Sequence, residues 1–395
     1  MFHSIFFARD DKSDEAVLES LQSKQEVKLT SKEKLNRLWI TDPLTKQGID
    51  LILDLLNKGF KLETKDTNVE TDLKIIDKNT DISDFNNKMA RDAIIFGNAF
   101  GEYLYNRNKT KILGLWNMDP VKTDFQKDMN EKIIMDDTGK PKGFIQDIGV
   151  MGDTGKKEIV TTPSGQRGLG FTTKNVFFFN FERFSGTIEG ISNLQTVAKL
   201  IEAKQEAELG VTQAIKRFGI PIITVEAGDD RHMISPENLK RVREKLEGID
   251  KKNVIVTPYY QKLGILQPKQ QISKLSENLQ YYVQQISLGL GIPYALITGT
   301  GETANRATLR QLIRLFIARL EKKREKEREF WVREILPFIS EINKWKSIPK
   351  PTWQPITLED VESLAKRLAE YVKNQILTAE EAKKIVSQSE GFNGD

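Results

Sequence analysis

The sequence comprises 395 residues, of which 38% are hydrophobic and 29% are charged, and its formal net charge is +4. This length exceeds the size at which one hydrophobic core stops growing, so two or three subdomains are expected. The sequence has no cysteine, which excludes disulfides and thiolate chemistry. It has only two histidines, so a Ser-His-Asp triad or a histidine-rich metal site has few residues to draw on. The small net charge is not by itself an argument for nucleic-acid binding.

No membrane association is predicted. No window approaches the roughly 18 consecutive apolar residues of a membrane span. The N-terminal apolar patch, Met1 to Phe7, runs into the charged stretch Arg9 to Lys12, so it is too short and has the wrong flank for a signal peptide. The composition therefore predicts a soluble protein that is intracellular or part of a virion.

The first quarter of the chain predicts an arm and two helices. Residues 1–35 are polar and mixed in charge, which predicts a loosely held N-terminal arm. From Asp42 to Leu62 apolar residues recur at helical spacing, and the pattern ends at Gly59, a typical C-terminal cap. A second helix is predicted from Ser83 to Phe96 by periodic apolar residues (Phe85, Met89, Ala93 and Ile94), and the pair Gly97-Asn98 ends it.

From Ala99 to Phe181 the pattern changes to short antiparallel strands. Alternating apolar residues from Phe100 to Tyr105 and from Ile112 to Trp116 are separated by turns, and the run from Val176 to Phe181 is rich in strand formers. Because basic residues do not interleave with these aromatics, we expect them to form a core rather than to stack on nucleic-acid bases.

Two helical segments bracket a small insert. The first, from Ser192 to Phe218, opens with a capping box in which Ser192 and Gln195 satisfy free amides. The second, from Ile272 to Leu290, has apolar residues that step by three and four, which suits a partner helix or packing inside its own domain. The insert is predicted as a small α/β unit that contains, in order, a strand (222–225), a basic helix (235–246) and a strand (254–256).

A glycine-rich loop follows the second helix. The segment Gly299 to Ala304 matches Gly-x-Gly-x-x-Ala, one form of the dinucleotide-binding fingerprint. Such a site needs a strand before the glycine turn and an acidic residue about 20 positions later at the end of a second strand. Here one helical pattern runs on to about Ile342 and Glu321 falls within it, so the sequence disfavours nucleotide binding.

The long helix after this loop is strongly basic. Arg306, Arg310 and Arg314 recur at every fourth position on a face separate from the apolar one, and they could contact phosphate or the carboxylates of a neighbouring subunit. From Glu321 to Arg328 the mixed charges favour a solvated face with ion pairs inside the helix.

The chain resembles the portal proteins of tailed double-stranded DNA viruses, in particular the lambdoid and siphovirus-type phage portals. The resemblance covers about residues 40–390 in the family's order. The segments that carry it are Ile94 to Tyr103, the turn Met118 to Pro120, the strand Val176 to Phe181, Gly190 to Gln195, Gly219 to Pro221, Leu288 to Pro293, Asn305 to Thr308 and Ile376 to Ala382. Their joint order is specific.

The resemblance implies an α+β portal fold with a mixed α/β wing, a two-helix stem, a small α/β clip, a long wing helix and a helical C-terminal crown. The segments it implies are an N-terminal arm (1–40), the wing (41–191), stem helix 1 (192–218), the clip (219–271), stem helix 2 (272–292), a tunnel loop (293–304), the long wing helix (305–350) and the crown (351–395).

The resemblance also implies a function. A portal forms a closed ring, a dodecamer in virions, at one capsid vertex after assembly in the host cytoplasm. Genomic double-stranded DNA is packaged through its channel by the large terminase subunit and later ejected, and the ring connects head to tail. The implied partners are further copies of the chain in the ring, the large terminase subunit, a head-completion or tail adaptor protein, the major capsid protein, the scaffolding protein and double-stranded DNA that passes without sequence preference. Neither catalysis nor a cofactor or metal is implied.

Candidate site residues follow from the same resemblance. For the channel and tunnel loop they are Thr298, Gly299, Thr300, Gly301, Glu302, Thr303 and Arg306. For the stem and its contacts between subunits they are Leu194, Ile201, Leu275, Leu279 and Ile286. For docking of terminase or adaptor on the clip they are Asp229, Asp230, Arg231, Lys240 and Arg243.

Two alternatives remain open from the sequence. One is a non-viral ring or helical scaffold protein. A scaffold built on helical pairing predicts dimers or trimers rather than a large closed ring. The other is an enzyme that binds a nucleotide at Gly299 to Ala304.

Overall fold

The computed structural model describes two compact units of an α+β chain. The described residues are 30–137, 139–147, 159–218, 222–227, 235–237, 240–241, 261–266, 269–299, 306–356, 368–374 and 376–383. The first unit runs to Ala198 and resumes at Arg310, and the second runs from Lys199 to Leu309. The predicted fold class is confirmed. Among the helices of this described part, none is both long and apolar enough to cross a membrane.

The first unit opens with four helices and a short strand. In chain order they are α1 (Lys32–Thr41), α2 (Pro43–Leu56), β1 (Lys61–Glu63), α3 (Thr67–Thr80) and α4 (Ile82–Phe96). Each helix is preceded by a serine or aspartate whose side chain accepts from a backbone amide of the first turn, namely Ser31, Asp42, Asp66 and Asp81. Such caps satisfy amides that a helix start leaves free, so sequence chemistry fixes where these helices begin.

Three of these helices differ from the sequence prediction. Helix α2 ends at Leu56 and its C-cap is Asn57 rather than Gly59, and Lys61–Glu63, which overlaps the end of the predicted helix, forms strand β1. Helix α1 lies inside the segment predicted as a loose arm, and its Leu35 and Leu38 are buried. It was missed because its four apolar residues fall within positions 35–40 of a polar segment, which is too short a run to show a helical period. Helix α3 was not predicted, although Val69, Leu73 and Ile76 are buried at helical spacing.

The strands of this unit form small antiparallel sheets, as predicted. They are β2 (Ala99–Tyr105), β3 (Ile112–Met118), β4 (Thr123–Phe125), β5 (Gly143–Gln146), β6 (Ile159–Thr161), β7 (Arg167–Thr172) and β8 (Val176–Phe179). One sheet has the order β3-β2-β8 and the other has the order β4-β5-β7-β6. The ring of Phe125 lies 5.4 Å from that of Phe100 and 5.6 Å from that of Phe144, so the aromatic residues form a core between strands.

The chain then continues through the second unit and returns to the first. The elements are α5 (Asn193–Phe218), β9 (Ile222–Ala227), β10 (Gln261–Leu266), α6 (Lys269–Leu290), α7 (Tyr294–Thr298), α8 (Arg306–Phe330), a π-helical turn (Trp331–Ile335), α9 (Leu336–Asn343) and β11 (Lys350–Thr352). In the π turn the amide of Leu336 donates to the Trp331 carbonyl five residues earlier. The next residue, Pro337, has no amide to donate, so the ladder cannot continue regularly there.

The two parts of the first unit are joined by a strand pair. Strand β11 pairs antiparallel with β1, with Lys61 opposite Thr352 and Glu63 opposite Lys350. The first residues of the segment assigned to the crown, 351–352, therefore belong to a sheet with a strand of the wing.

A buried arginine ties α8 to the end of α2. Arg324 Nε and Nη2 donate to the Leu56 carbonyl at 2.9 and 2.8 Å, Nη2 also donates to the Leu55 carbonyl at 2.8 Å, and Nη1 donates to the Gln354 carbonyl at 2.7 Å. The carbonyls of Leu55 and Leu56 are among those that the end of a helix leaves without partners, and a cation is favourable there. Burial lowers the pKa of Arg324 to about 10, and Glu327 opposes that shift.

A buried carboxyl group lies one turn further along α8. Glu327 is 1% exposed, and burial raises its pKa to about 8, although the positive charge of Arg324 acts in the opposite direction. With its nitrogen turned toward this carboxyl, the Asn57 side chain donates to Glu327 Oε2 at 2.9 Å. The indole Nε1 of Trp331 donates to Asn86 Oδ1 at 2.7 Å beside it. The prediction of a solvated face from Glu321 to Arg328 is therefore wrong for the two most buried members of that run.

Candidate functional site: stem helices, channel loop and clip

Two segments of the family-like pattern meet at the start of α5. The amide of Gly190 donates to Asn98 Oδ1 at 2.9 Å, and Asn180 Nδ2 donates to the Ile188 carbonyl at 3.0 Å. Gly97 has a φ of +86°, and a Cβ at Gly190 would overlap the Gly97 carbonyl oxygen. Only glycine allows the two backbones to approach this closely. The sequence pattern identified the two segments separately, and the structure shows that they contact each other at the start of α5.

The capping box at the start of α5 is half confirmed. The amide of Gln195 donates to Ser192 Oγ at 3.0 Å, as predicted. The Gln195 side chain, however, does not reach back to the cap residue. Its Oε1 accepts from the Thr30 amide at 3.0 Å and its Nε2 donates to Thr30 Oγ1 at 3.2 Å. The glutamine therefore holds the first described residue of the chain, a partner 165 positions away in sequence.

The second unit exposes large apolar side chains on both of its long helices. On α6, Tyr281 and Leu288 are exposed, and Leu288 is 70% exposed. They are seven residues apart, so they lie on the same face of the helix. On α5, Leu209 and Ile215 are also exposed. These residues give each helix an outward apolar surface in the single chain.

The residues predicted for contacts between subunits lie on other faces. Leu194, Ile201 and Ile286 are 0% exposed and Leu279 is half-buried, whereas the side chain of Leu275 lies outside the described part of the structure. Ile286, which belongs to the seam of α6, thus packs inside the single chain, as do Leu194 and Ile201 on α5. The side chains of Leu194, Ile201 and Ile286 therefore have no surface free for a neighbouring copy.

The described part of the segment predicted as a tunnel loop is a short helix that ends in a glycine. Helix α7 follows Pro293, Thr298 Oγ1 donates to the Tyr294 carbonyl at 3.0 Å, and Gly299 has a φ of +67°. Thr300, Gly301, Glu302 and Thr303 lie outside the described residues, and Arg306 begins α8 with its side chain also outside them. The dinucleotide fingerprint requires a strand before its first glycine. Here a helix leads into Gly299, so the nucleotide alternative loses its structural basis.

The clip segment contains a strand pair that the sequence predicted only in part. Strand β9 confirms the predicted strand and extends it to Ala227, and it pairs antiparallel with β10. The sequence prediction missed β10, where Gly264 interrupts a short apolar run, and its predicted second strand at 254–256 lies outside the described residues. Lys240 is helical and exposed. The other clip candidates, Asp229, Asp230, Arg231 and Arg243, fall outside the described part.

The first half of α8 presents two different exposed surfaces in the first unit. Arg310 and Arg314 are exposed one turn apart, as the arginine row predicted. Leu312 and Leu315 are exposed on another face. Within the described residues, no group of three or more histidine, aspartate or glutamate side chains is placed to hold a metal ion.

Small antiparallel sheets, two long helices around a strand pair, and a short helix before a long basic helix make up this α+β chain. The family model described as "Phage portal protein" matches residues 73–386. The chain therefore belongs to the phage portal protein family, whose members are structural proteins, and it is a portal protein.

Solved structures share the fold. A chain from the neck of a native gene transfer agent particle, computed with C12 symmetry, is 14% identical with a TM-score of 0.58, and the match covers 88% of this chain and 90% of that chain. A chain from the neck of the empty particle, computed with C6 symmetry, is 14% identical with a TM-score of 0.61, covering 90% and 93%.

A crystal structure of an HK97 family phage portal protein from Corynebacterium diphtheriae is 11% identical with a TM-score of 0.41, covering 79% and 93%. A comparison with curated proteins found no match.

Proposed function

We propose that this portal protein assembles into a closed ring of twelve copies at one capsid vertex, connects head to tail and forms the channel through which genomic double-stranded DNA is packaged and later ejected. The observation that carries this proposal is the match to the portal family model over residues 73–386. The fold shared with chains from particle necks that were computed with C12 and C6 symmetry supports a ring.

The exposed apolar residues support contacts between copies. A closed ring uses a heterologous interface, in which two different patches of each copy meet. Tyr281 and Leu288 on α6, and Leu209 and Ile215 on α5, give the second unit apolar surface that its own chain leaves uncovered. Scattered single apolar residues need no explanation, but two on one helical face at heptad spacing are what a packed partner helix requires.

Assembly of substituted chains tests this surface. Leu288→Glu places a charge on the exposed face, so we expect the ring to be lost while the circular dichroism spectrum and thermal stability of the chain are retained. Gln280→Glu is the matched control, because it adds the same charge to the same helix at an exposed polar position, and it should assemble normally. Ile286→Glu should instead disrupt folding, because Ile286 is fully buried.

Native mass spectrometry and negative-stain imaging read out the result. The expected largest species has twelve times the 45.1 kDa mass of one chain. If the Leu288→Glu chain forms the same ring as the unmodified protein, this face of α6 does not take part in the interface. An unmodified protein that forms nothing larger than a dimer or trimer would contradict the ring itself and favour a helical scaffold.

Further roles within the ring are part of the proposal. The wing (41–191 and 305–350) forms the body of the ring, the stem helices (192–218 and 272–292) surround the channel, the tunnel loop (293–304) lines it, and the crown (351–395) lies at one end.

The clip (219–271) binds the large terminase subunit and later the adaptor. A chain with Asp229, Asp230 and Arg231 all changed to alanine is expected to form rings that no longer retain terminase in a pull-down. Rings that still retain it would contradict this docking site.

Contacts with DNA are expected to be sparse. Each phosphate that a lysine or arginine neutralises adds affinity, so a channel that passes any sequence must avoid a dense row of such contacts. Arg306 at the loop and the exposed Arg310 are candidates for the few that remain. Changing both to alanine should alter the packaging rate equally for DNA of unrelated sequences. A change confined to one sequence would contradict a channel that does not read bases.

A further inference from the structure

One face of α8 in the first unit carries two leucines followed by two cations. Leu312 and Leu315 are 43% and 62% exposed, and Arg319 and Lys322 are exposed as well. Steps of three, four and three residues separate these positions, so all four lie on the same face of the helix. Leu320, on another side, is buried. We name the four exposed residues the α8 stripe.

The charges and leucines of the α8 stripe together define the chemistry of its partner. From Arg306 to Leu320 the helix has four arginines and no acidic residue, so a complementary surface must supply carboxylates or phosphates. The phosphates of DNA would pair with the cations but would leave the two leucines in water. A protein surface with carboxylates beside an exposed leucine covers both, so the stripe fits such a surface better than it fits DNA.

Helix α5 of the second unit carries a surface of that kind. Leu209 is 63% exposed, and Glu206, one turn before it, is exposed as well. Lys204 is buried and forms an ion pair with Glu208 at 2.9 Å, so its charge does not oppose that of Glu206 at the surface. Steps of four, three and four residues place four side chains on this face, which we name the α5 stripe: the half-buried Glu202 and the exposed Glu206, Leu209 and Gln213.

The two stripes complement each other when the helices run antiparallel. Leu209 then faces the leucines of the α8 stripe, and Glu206 faces Arg319. Their lengths also agree, because at 1.5 Å per residue the α8 stripe spans about 15 Å and the α5 stripe about 16 Å. In a parallel arrangement the carboxylates would face leucines and the cations would face Leu209 and Gln213. The order of charged and apolar residues therefore fixes the direction of the contact.

We propose that the α8 stripe of one copy packs antiparallel on the α5 stripe of the neighbouring copy, with leucine against leucine and Arg319 against Glu206. This contact rests on the ring proposed above, in which each copy meets its neighbour through two different patches. The stripes are two such patches, one apolar and basic and the other apolar and acidic. The contact is separate from the one proposed for Leu288 on α6.

Disulfide cross-linking tests the contact, because the chain has no cysteine of its own. Rings of a chain with both Leu209→Cys and Leu315→Cys should give a ladder of linked copies on a non-reducing gel after oxidation. The matched control combines Leu209→Cys with Phe184→Cys, an exposed position outside both stripes, and should give no ladder.

Each outcome of the cross-linking is decisive. A disulfide that closes within one chain, without a ladder, would place the contact inside the copy and overturn the proposal. Rings without any cross-link would overturn it and leave the proposed portal ring intact. An unmodified protein that forms no ring would contradict the proposed function, and this contact with it.

Exchanging the two charges gives an independent measurement by native mass spectrometry. Arg319→Glu or Glu206→Arg alone should lower the ring yield at a fixed chain concentration by at least about tenfold, because like charges then face each other. The two substitutions together should restore the yield, since the attraction returns with its signs exchanged. Arg314→Glu, the same charge change on another face of α8, is the matched control and should assemble normally.

Two results of this exchange would overturn the proposal. One is a double variant that assembles no better than the single variants, while circular dichroism shows that all three are folded. The other is an Arg319→Glu chain that assembles like the unmodified protein. If rings of that chain also retain less DNA, the α8 stripe contacts DNA and not a neighbouring copy.

Discussion

Replacing the buried Glu327 with glutamine should remove a pH dependence of stability from the first unit. The pKa of this carboxyl group is raised to about 8 in the folded chain by burial, against an ordinary value of 4.5. Between these two values the folded chain keeps a proton that the unfolded chain has lost. Rising pH therefore favours the unfolded chain, and the stability present below about pH 4.5 is lost progressively as the pH approaches 8.

The expected size follows from these pKa values. Each pH unit well inside the window changes the free energy of unfolding by about 1.4 kcal/mol. From pH 5.5 to pH 7.5 the protein should lose about 2.5 kcal/mol through this group alone. Glu327→Gln is neutral at every pH and has the same shape, so it should not show this loss. Arg324 and Lys323 are the cations that act on Glu327, and both remain in the variant.

Urea denaturation at the two pH values measures the effect. At pH 7.5 the variant should have the larger free energy of unfolding. This advantage over the unmodified protein should be about 2.5 kcal/mol smaller at pH 5.5. Burial also raises the pKa of Asp92 to about 6, but this group is present in both proteins and cancels in the comparison. Glu325→Gln, an exposed carboxylate on the same helix, should leave the pH dependence unchanged. If Glu327→Gln also leaves it unchanged, Glu327 is ionised in the folded chain and the reasoning fails.

Further predictions concern packing and caps. Arg324→Ala should cost about 3 to 5 kcal/mol of stability in urea denaturation, because it leaves buried helix-end carbonyls unpaired, and a cost below about 1 kcal/mol would contradict the role of this side chain. Ser192→Ala should cost about 1 to 2 kcal/mol through the lost cap of α5, whereas an unchanged denaturation midpoint would show that the cap is dispensable. Gly190→Ala should destabilise by about 2 to 3 kcal/mol, because its Cβ would overlap the Gly97 carbonyl. Gly210→Ala, at an open position inside α5, should stabilise by up to about 1 kcal/mol, and equal effects of the two glycine substitutions would refute the close-contact argument.

The sequence by itself determined the long helices, the antiparallel character of the β region and the family. In amphipathic helices such as α2, α4 and α6 the apolar residues of the buried face recur every three to four positions, so the sequence predicts them. A glycine or proline shortly after such a helix predicts its end. The apolar residues of helix α1 fall within positions 35–40, which is too short a run to show a helical period.

For the candidate site, the sequence located the segments but could not assign the faces of the helices. Ile286 and Leu288 are two positions apart on α6 and are both apolar, yet the first is fully buried and the second is largely exposed. The periodic pattern indicates which residues share a face. Which face meets the rest of the chain depends on elements distant in sequence.

Only the tertiary structure decided the polar contacts. Arg324 and Glu327 lie in a run of mixed charges that is typical of a solvated helix face, and the local sequence contains no signal of their burial. The carbonyls of Leu55 and Leu56 that accept from Arg324 lie almost 270 positions earlier in the chain. A buried charge is stable only where such partners surround it, so its position depends on how distant helices pack and not on the residues beside it.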